Sequence, residues 1–277
     1  MTKWKAPLWW TALLGWKAPW GLALFAGLFA YLTPPLAHAD AVGGYAAGCQ
    51  FHSQALPGTG TGFHVIRASR ARYYGQPVLI DYLQTLGKKV AQAKLPHMLV
   101  ADMAMQRGGP FAFGHRSHQS GLDADIWLRT PPIPASSSRL EQVPEIDMVD
   151  HKYYILNSHF QDQQRQLIAL AAQDPRVNRI FVHPLIKQAM CHAYGEAPWL
   201  NRLRPWYGHS GHFHVRLSCP QGDRDCVPQA PIPAGTGCGN ELQSWLKDKT
   251  GALSGGGSST PFRPILPPRC QSWVPGY

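Results

Sequence analysis

Five of the chain's thirteen histidines crowd into two short stretches. Residues 114–125 read GHRSHQSGLDAD, and residues 206–215 read WYGHSGHFHV. In the second stretch His212 and His214 stand two apart. Alternate residues of a β-strand face the same side, so both imidazoles point into one site while Phe213 and Val215 point into a core. In the first stretch His118 leads into a turn at Gly121. Asp125 follows on an expected strand whose same face also carries Asp123. Two histidine nitrogens and one aspartate oxygen suit zinc and leave a coordination position for water. Zinc held this way lowers the pKa of its water to roughly 7 and, keeping net positive charge, polarises a carbonyl. The expected ligands are therefore His118, Asp125 and His214. Asp123 is open to two readings, a partner that supports a ligand or a plain turn carboxylate.

Other polar groups are read more plainly. His38, His52, His64, His97, His159, His183 and His192 are ordinary core or surface histidines. Asp150 and His151 read as loop residues, with a second ion as the alternative. No H-E-x-x-H occurs, which excludes a thermolysin-like site. Ser244 and Lys247 fit S-x-x-K, and residues 249–251 fit K-T-G, both patterns of penicillin-binding enzymes. Here they are one residue apart and no S-x-N accompanies them, so they read as a helix end and a turn.

The elements that must position the histidines alternate irregularly. Pro77 opens a helix with Leu79, Leu83, Leu86 and Val90 at helical spacing. Residues 97–102 (HMLVAD) and 124–128 (ADIWL) read as strands. Residues 130–144, with four prolines and three consecutive serines, read as a loop. Residues 160–172 read as a helix, 179–182 (RIFV) as a strand, 184–193 as a helix and 213–217 as a last strand. Residues 40–62 look irregular, as does the Gly-, Ser- and Pro-rich end from 251, which Cys270 would pin. No internal repeat is found. The expected class is α+β: a small antiparallel sheet carrying the zinc site, flanked by helices, with irregular disulfide-pinned termini.

The N-terminus belongs to export. Lys3, Lys5 and Lys17 precede an uncharged apolar run, residues 21–32, and then Ala37-His38-Ala39. That order reads as a secretory signal peptide over residues 1–39, cleaved after Ala39. A retained anchor is the rival, but the run falls short of the roughly 20 residues a spanning helix needs. The expected domain is residues 40–277, with 251–277 as its tail. Cleavage removes three lysines and no acid, which takes the formal charge from +10 to +7. A basic exported protein suits an anionic partner such as a cell wall; no nucleic-acid motif is present. Six cysteines, Cys49, Cys191, Cys219, Cys226, Cys238 and Cys270, all lie after the leader. An even number in an oxidising compartment implies three disulfides, and spacing alone leaves the connectivity open.

The pattern H-x6-D with a later H-x-H resembles the LAS group of zinc peptidases, the lysostaphin-type, D-Ala-D-Ala-dipeptidase-type and related enzymes. More narrowly, G-H-x-S-H-Q-x-G-x-D-x-D, then R-I-F-V, then R-P-W-x-x-H-x-x-H-x-H-V-R-L-x-C-P resembles the penicillin-insensitive murein endopeptidases. H-x-H alone is weak; the two long signatures together are highly specific, and the likeness runs over essentially the whole mature chain. It implies zinc on His118, Asp125 and His214, with His212 as the general base. It implies that His209 and His115 are further active-site histidines. It also implies the pairs Cys49 with Cys270, Cys191 with Cys238, and Cys219 with Cys226. The long leader and the Gly/Ser stretch at 254–259 depart from the family, and no clear second metal site is matched near His115, Asp150 or His151.

The expected function is a periplasmic zinc D,D-endopeptidase cutting the D-alanyl to meso-diaminopimelyl cross-link of peptidoglycan, indifferent to penicillin because no acylable serine takes part. An L,D-endopeptidase or a carboxypeptidase on the same site is the related alternative. A non-catalytic zinc protein that binds cell wall is the alternative from another class. A homodimer is compatible with the sequence but not specified by it.

Overall fold

The computed structural model describes residues 40–132, 134–248 and 262–276. The expected leader, the K-T-G pattern and the Gly/Ser stretch lie outside the described residues.

The leading segment, expected to be irregular, is instead an antiparallel hairpin of β1 (Asp40–Gly44) and β2 (Ala47–Phe51). Its Gly and Ala content is a packing requirement: a Cβ at Gly48 would overlap the carbonyl oxygens of Val42 and Gly44. Next come β3 (Gln54–Ala55), β4 (Thr59–Gly60), β5 (Phe63–Val65) and β6 (Tyr74–Gly75). Helix α1 (Pro77–Gln92) starts on proline, whose fixed φ suits the first helical position, and buries Leu79, Leu83, Leu86 and Val90. Strands β7 (Met98–Val100) and β8 (Asp123–Trp127) follow. The proline- and serine-rich loop is interrupted by a short helix, α2 (Ser137–Glu141). Its Leu140 joins a cluster with Ile66, Leu99, Trp127 and Val143, so tertiary packing folds a turn that propensity alone does not specify.

A small pair, β9 (Val149–Asp150) and β10 (Ile155–Leu156), leads to α3 (Asp162–Ala172), which opens on a reciprocal capping box between Gln161 and Gln164. Strand β11 (Val177–Val182), helix α4 (Pro184–Tyr194), β12 (Leu203–Pro205) and β13 (His212–Leu217) complete the centre, and α5 (Asn240–Lys247) and α6 (Pro268–Gln271) the end. Among the described residues no helix is long and apolar enough to cross a membrane.

The main sheet has seven strands in the order β12-β11-β13-β8-β7-β5-β4. The run β11-β13-β8-β7 is antiparallel, and β12 and β5 join it in parallel. Strand β8 is buried at every position. Its Ala124 and Ile126, with Phe213, Val215 and Leu217 of β13, face the large core under α1, α3 and α4. The alternate residues, Asp123 and Asp125 with His212, His214 and Arg216, lie on the opposite face. Disulfides join Cys49 to Cys270, Cys191 to Cys238 and Cys219 to Cys226. The first holds α6 against the β1–β2 hairpin.

Candidate metal centre

The site is built on one cross-strand register. His214 pairs with Asp125 and Arg216 with Asp123, so the period-two pleat places two carboxylates and an imidazole on one face. His214 Nδ1 lies 3.1 Å from Asp125 Oδ1. His118 reaches the same oxygen from a loop, with Nε2 at 3.5 Å. That loop is tied down at both ends. The His118 N–H donates to Asp123 Oδ2 at 3.0 Å, and Gln119 donates through its side chain to Ala46 and Arg116 carbonyls, both at 2.9 Å. These anchors hold His118 at φ +68, a left-handed conformation that costs a non-glycine residue free energy and is kept by its surroundings. Its ring, fully buried, stacks on Phe111.

His118, Asp125 and His214 are all buried, and one ligand atom of each lies within 4.8 Å of the others. The same holds for His115, Asp125 and His212: the two histidines, partly open to solvent, approach the buried carboxylate at Oδ2 at 3.3 and 3.8 Å. Both nitrogens of His118 and Asp125 Oδ1 are buried without a hydrogen-bond partner. Buried polar atoms are nearly always satisfied, and a carboxylate oxygen ringed by imidazole nitrogens is satisfied by a cation. The residues present therefore fit a divalent ion. Asp150 and His151 are engaged locally, as loop residues: His151 Nε2 meets Asp147 at 2.7 Å, and Asp150 Oδ1 accepts from the N–H groups of Lys152 and Tyr153.

Asp123 resolves as a supporting partner. It receives Arg216 through Nε at 2.8 Å and Nη2 at 3.0 Å, and its Oδ1 lies 3.2 Å from His214 Nε2. A carboxylate behind a ligating imidazole orients the ring and raises its basicity. Burial opposes ionisation of Asp123, but the Arg216 and His214 charges override it and hold the carboxyl well below its usual range. Burial likewise opposes ionisation of Asp125, and His115, His118 and His212 pull it well down. Burial presses on His214 too, yet Asp123 and Asp125 raise it to about 9 in the metal-free chain. Protons and metal therefore compete for this ring.

The remaining expected histidines close the site. The ring of His209 is 5.1 Å from that of His212 and 5.9 Å from that of His214. Burial, joined by the neighbouring His212 and His214, drives His209 well below its ordinary pKa, and burial lowers His115 to about 4. Both rings are then neutral with a single N–H each; His209 Nδ1 faces the Tyr207 carbonyl at 3.4 Å and His115 Nε2 faces Asp125 Oδ2 at 3.3 Å. Ser244, by contrast, donates to the Glu241 carbonyl within its own helix.

Two acidic residues at the site escaped sequence reading. Asp102 pairs with Arg72 at 2.9 Å and lies 3.8 Å from His115 Nε2. The apolar run before it signals a strand end but not this role. Glu145 meets His212 Nδ1 at 2.7 Å; it follows a proline-rich loop and carries no local signature.

Comparison with known proteins shows the family. A family model described as penicillin-insensitive murein endopeptidase matches residues 41–274. A protein of that name from Haemophilus influenzae is 46% identical over 236 residues, covering 84% of this chain and 82% of its own length. One from Klebsiella pneumoniae is 43% identical over 237 residues, covering 84% and 85%. One from Yersinia pestis is 41% identical over 250 residues, covering 89% and 90%.

Proposed function

The chain belongs to the penicillin-insensitive murein endopeptidases, and from that premise we propose that it is an exported zinc D,D-endopeptidase of the periplasm. It hydrolyses the D-alanyl to meso-diaminopimelyl amide between peptidoglycan stems. The observation that carries this reading is the buried trio of His118, Asp125 and His214, with Asp125 Oδ1 lacking any donor. His118, Asp125 and His214 hold the zinc. Zinc so bound supplies Lewis acidity to the scissile carbonyl and lowers the pKa of water.

The chain's own residues do the rest. His212 accepts the proton of the attacking water at Nε2, which faces Asp125, and returns it to the leaving amine. His209 and His115, neutral through burial, line the site beside His212 and help hold the substrate. Asp123 and Arg216 keep His214 in register. Residues 1–39 act as the leader, and three disulfides among the described residues fit an oxidising compartment. A purely structural zinc site needs no base, so His212 and its partly open surroundings favour catalysis over a binding role.

The test is mass spectrometry of a D,D-cross-linked muropeptide dimer incubated with the zinc-loaded protein and benzylpenicillin. Monomeric stems are expected, and a chelator should abolish them until zinc is restored. An intact dimer beside zinc-replete protein overturns the reading. Release of a terminal alanine alone selects the carboxypeptidase, and cleavage confined to L,D-linked dimers selects the L,D-endopeptidase.

A further inference from the structure

His212 can take up a proton at Nε2 only if its hydrogen sits on the other ring nitrogen. A neutral imidazole carries one N–H and one lone pair, and the partner of one nitrogen decides the state of the other. His212 Nδ1 lies 2.7 Å from Glu145 Oε1. An ionised carboxylate only accepts, so this contact requires the hydrogen on Nδ1. Nε2 is left with its lone pair, 3.8 Å from Asp125 Oδ2.

Two further features show that the contact is built rather than incidental. Gly211, immediately before His212, has no room for a side chain: a Cβ there would lie 2.5 Å from Glu145 Cγ and closer still to Oε1. The glycine is what lets the carboxylate lie along the base. The segment carrying Glu145 is also registered against the segment carrying Gly211. The Met148 N–H donates to Ser210 O at 2.9 Å, while the Leu128 N–H, just past β8, ties Gly211 O to the main sheet at 2.9 Å. Val143 and Met148, on either side of Glu145, are buried at 3% and 1% exposure. A solvated surface pair contributes little free energy. Glu145 is 44% exposed and the histidine side chain 12%, so the pair matters here for which nitrogen holds the hydrogen rather than for stability.

We propose that Glu145 is a positioning residue for His212, accepting its Nδ1–H so that Nε2 is the proton acceptor, and that Gly211 keeps the space this contact needs. The proposal rests on His212 being the base. Its bookkeeping is simple: Glu145 neither gains nor loses a proton, and water's proton moves to Nε2 and from there to the leaving amine.

The experiment compares zinc-loaded wild type with Glu145→Ala, Glu145→Gln and Gly211→Ala. Loss of a supporting hydrogen bond of this kind costs about 10–100-fold in activity. The loss is expected in kcat with KM and zinc content unchanged, because Glu145 acts through the His212 ring rather than on the ligands His118, Asp125 and His214. Glu145→Gln keeps a carbonyl acceptor and should recover part of kcat. Gly211→Ala should reproduce the Glu145→Ala loss, and the double variant should be no worse than either single one, since both break one contact.

Nitrogen-15 NMR of the histidine side chains is the readout independent of turnover. His212 is expected as the Nδ1–H tautomer in wild type and as a mixture or the Nε2–H tautomer in Glu145→Ala. An unchanged tautomer overturns the proposal. So does a normal kcat for Glu145→Ala when wild type cleaves the dimer. If wild type itself fails to cleave, the functional reading falls, and the tautomer shift still decides whether Glu145 sets the ring.

Discussion

Replacing Asp123 by alanine should unsettle both the fold and the metal, and the size of each effect can be worked from its contacts. The carboxylate accepts two bonds from Arg216, at 2.8 and 3.0 Å, and one from the His118 N–H at 3.0 Å. It also lies 3.2 Å behind His214 Nε2. Asp123 is fully buried and Arg216 is 7% exposed, so Asp123→Ala leaves a buried guanidinium short of its counter-charge. Breaking such a pair costs about 3–5 kcal/mol. Arg216 keeps a 2.8 Å bond to Gln229 and its stacking on Tyr45, which argues for the lower half of that range. For a domain of this size each kcal/mol is worth about 2–4 °C, so Tm should fall by about 6–16 °C. Because His214 loses its orienting partner, zinc affinity should fall about 10–100-fold.

The assays for Asp123→Ala are a calorimetric melt of the metal-free protein and a chelator competition for zinc. A Tm within about 2 °C of wild type, together with unchanged zinc affinity, would refute the reasoning. Acid gives a second check. The folded pKa of Asp123 is depressed, so its contribution is complete above about pH 4 and is lost as pH falls towards the folded value. Wild type should therefore lose more stability than the alanine variant on strong acidification.

His214→Ala should lose zinc, whereas His212→Ala should keep zinc and lose turnover by about 10²–10⁴-fold; full zinc occupancy in the first, or normal cleavage by the second, would contradict the assignment. His183 is buried at the start of α4, where its Nδ1 accepts the Leu185 N–H at 3.3 Å, and burial lowers its pKa from 6.5 to about 4. The unfolded chain then takes up a proton first as pH falls, so stability should decline between about pH 6.5 and 4 by about 3 kcal/mol. His183→Asn, which retains an acceptor for the helix end, should flatten that part of a denaturant midpoint-against-pH curve. Ser244→Ala should turn over the muropeptide dimer at the wild-type rate, and intact-mass spectra should show no benzylpenicilloyl adduct on wild type; either an activity loss or an adduct would reopen the serine reading.

What could be read from the chain alone is what depends on near neighbours. The alternation in His212-Phe213-His214 and in Asp123-Ala124-Asp125 separates polar from core-facing residues because a strand's pleat has a period of two. The apolar spacing of Leu79, Leu83, Leu86 and Val90 identifies the buried side of α1 for the matching helical reason. The hairpin at Asp40–Phe51 was not legible, since small residues favour irregular chain until a partner strand demands their size. Helix α2 was hidden among prolines and serines, because it is Leu140 packing on Trp127 and Val143 that holds it.

The site itself divides in the same way. Strand alternation puts His214 on a polar face, but only the pairing of β13 with β8 sets it opposite Asp125 rather than one residue away, and a slip of one would turn the imidazole into the core. His118 is suggested by its motif, yet its reach to Asp125 depends on a left-handed backbone held by Asp123 and by the β1–β2 hairpin, some 70 residues earlier in the chain. Glu145 stands 67 residues from His212, and Asp102, just past β7, meets His115 only because the long connection to β8 folds back. Neither has a local pattern to announce it, because a contact made by chain segments meeting in space is decided by how the whole sheet packs.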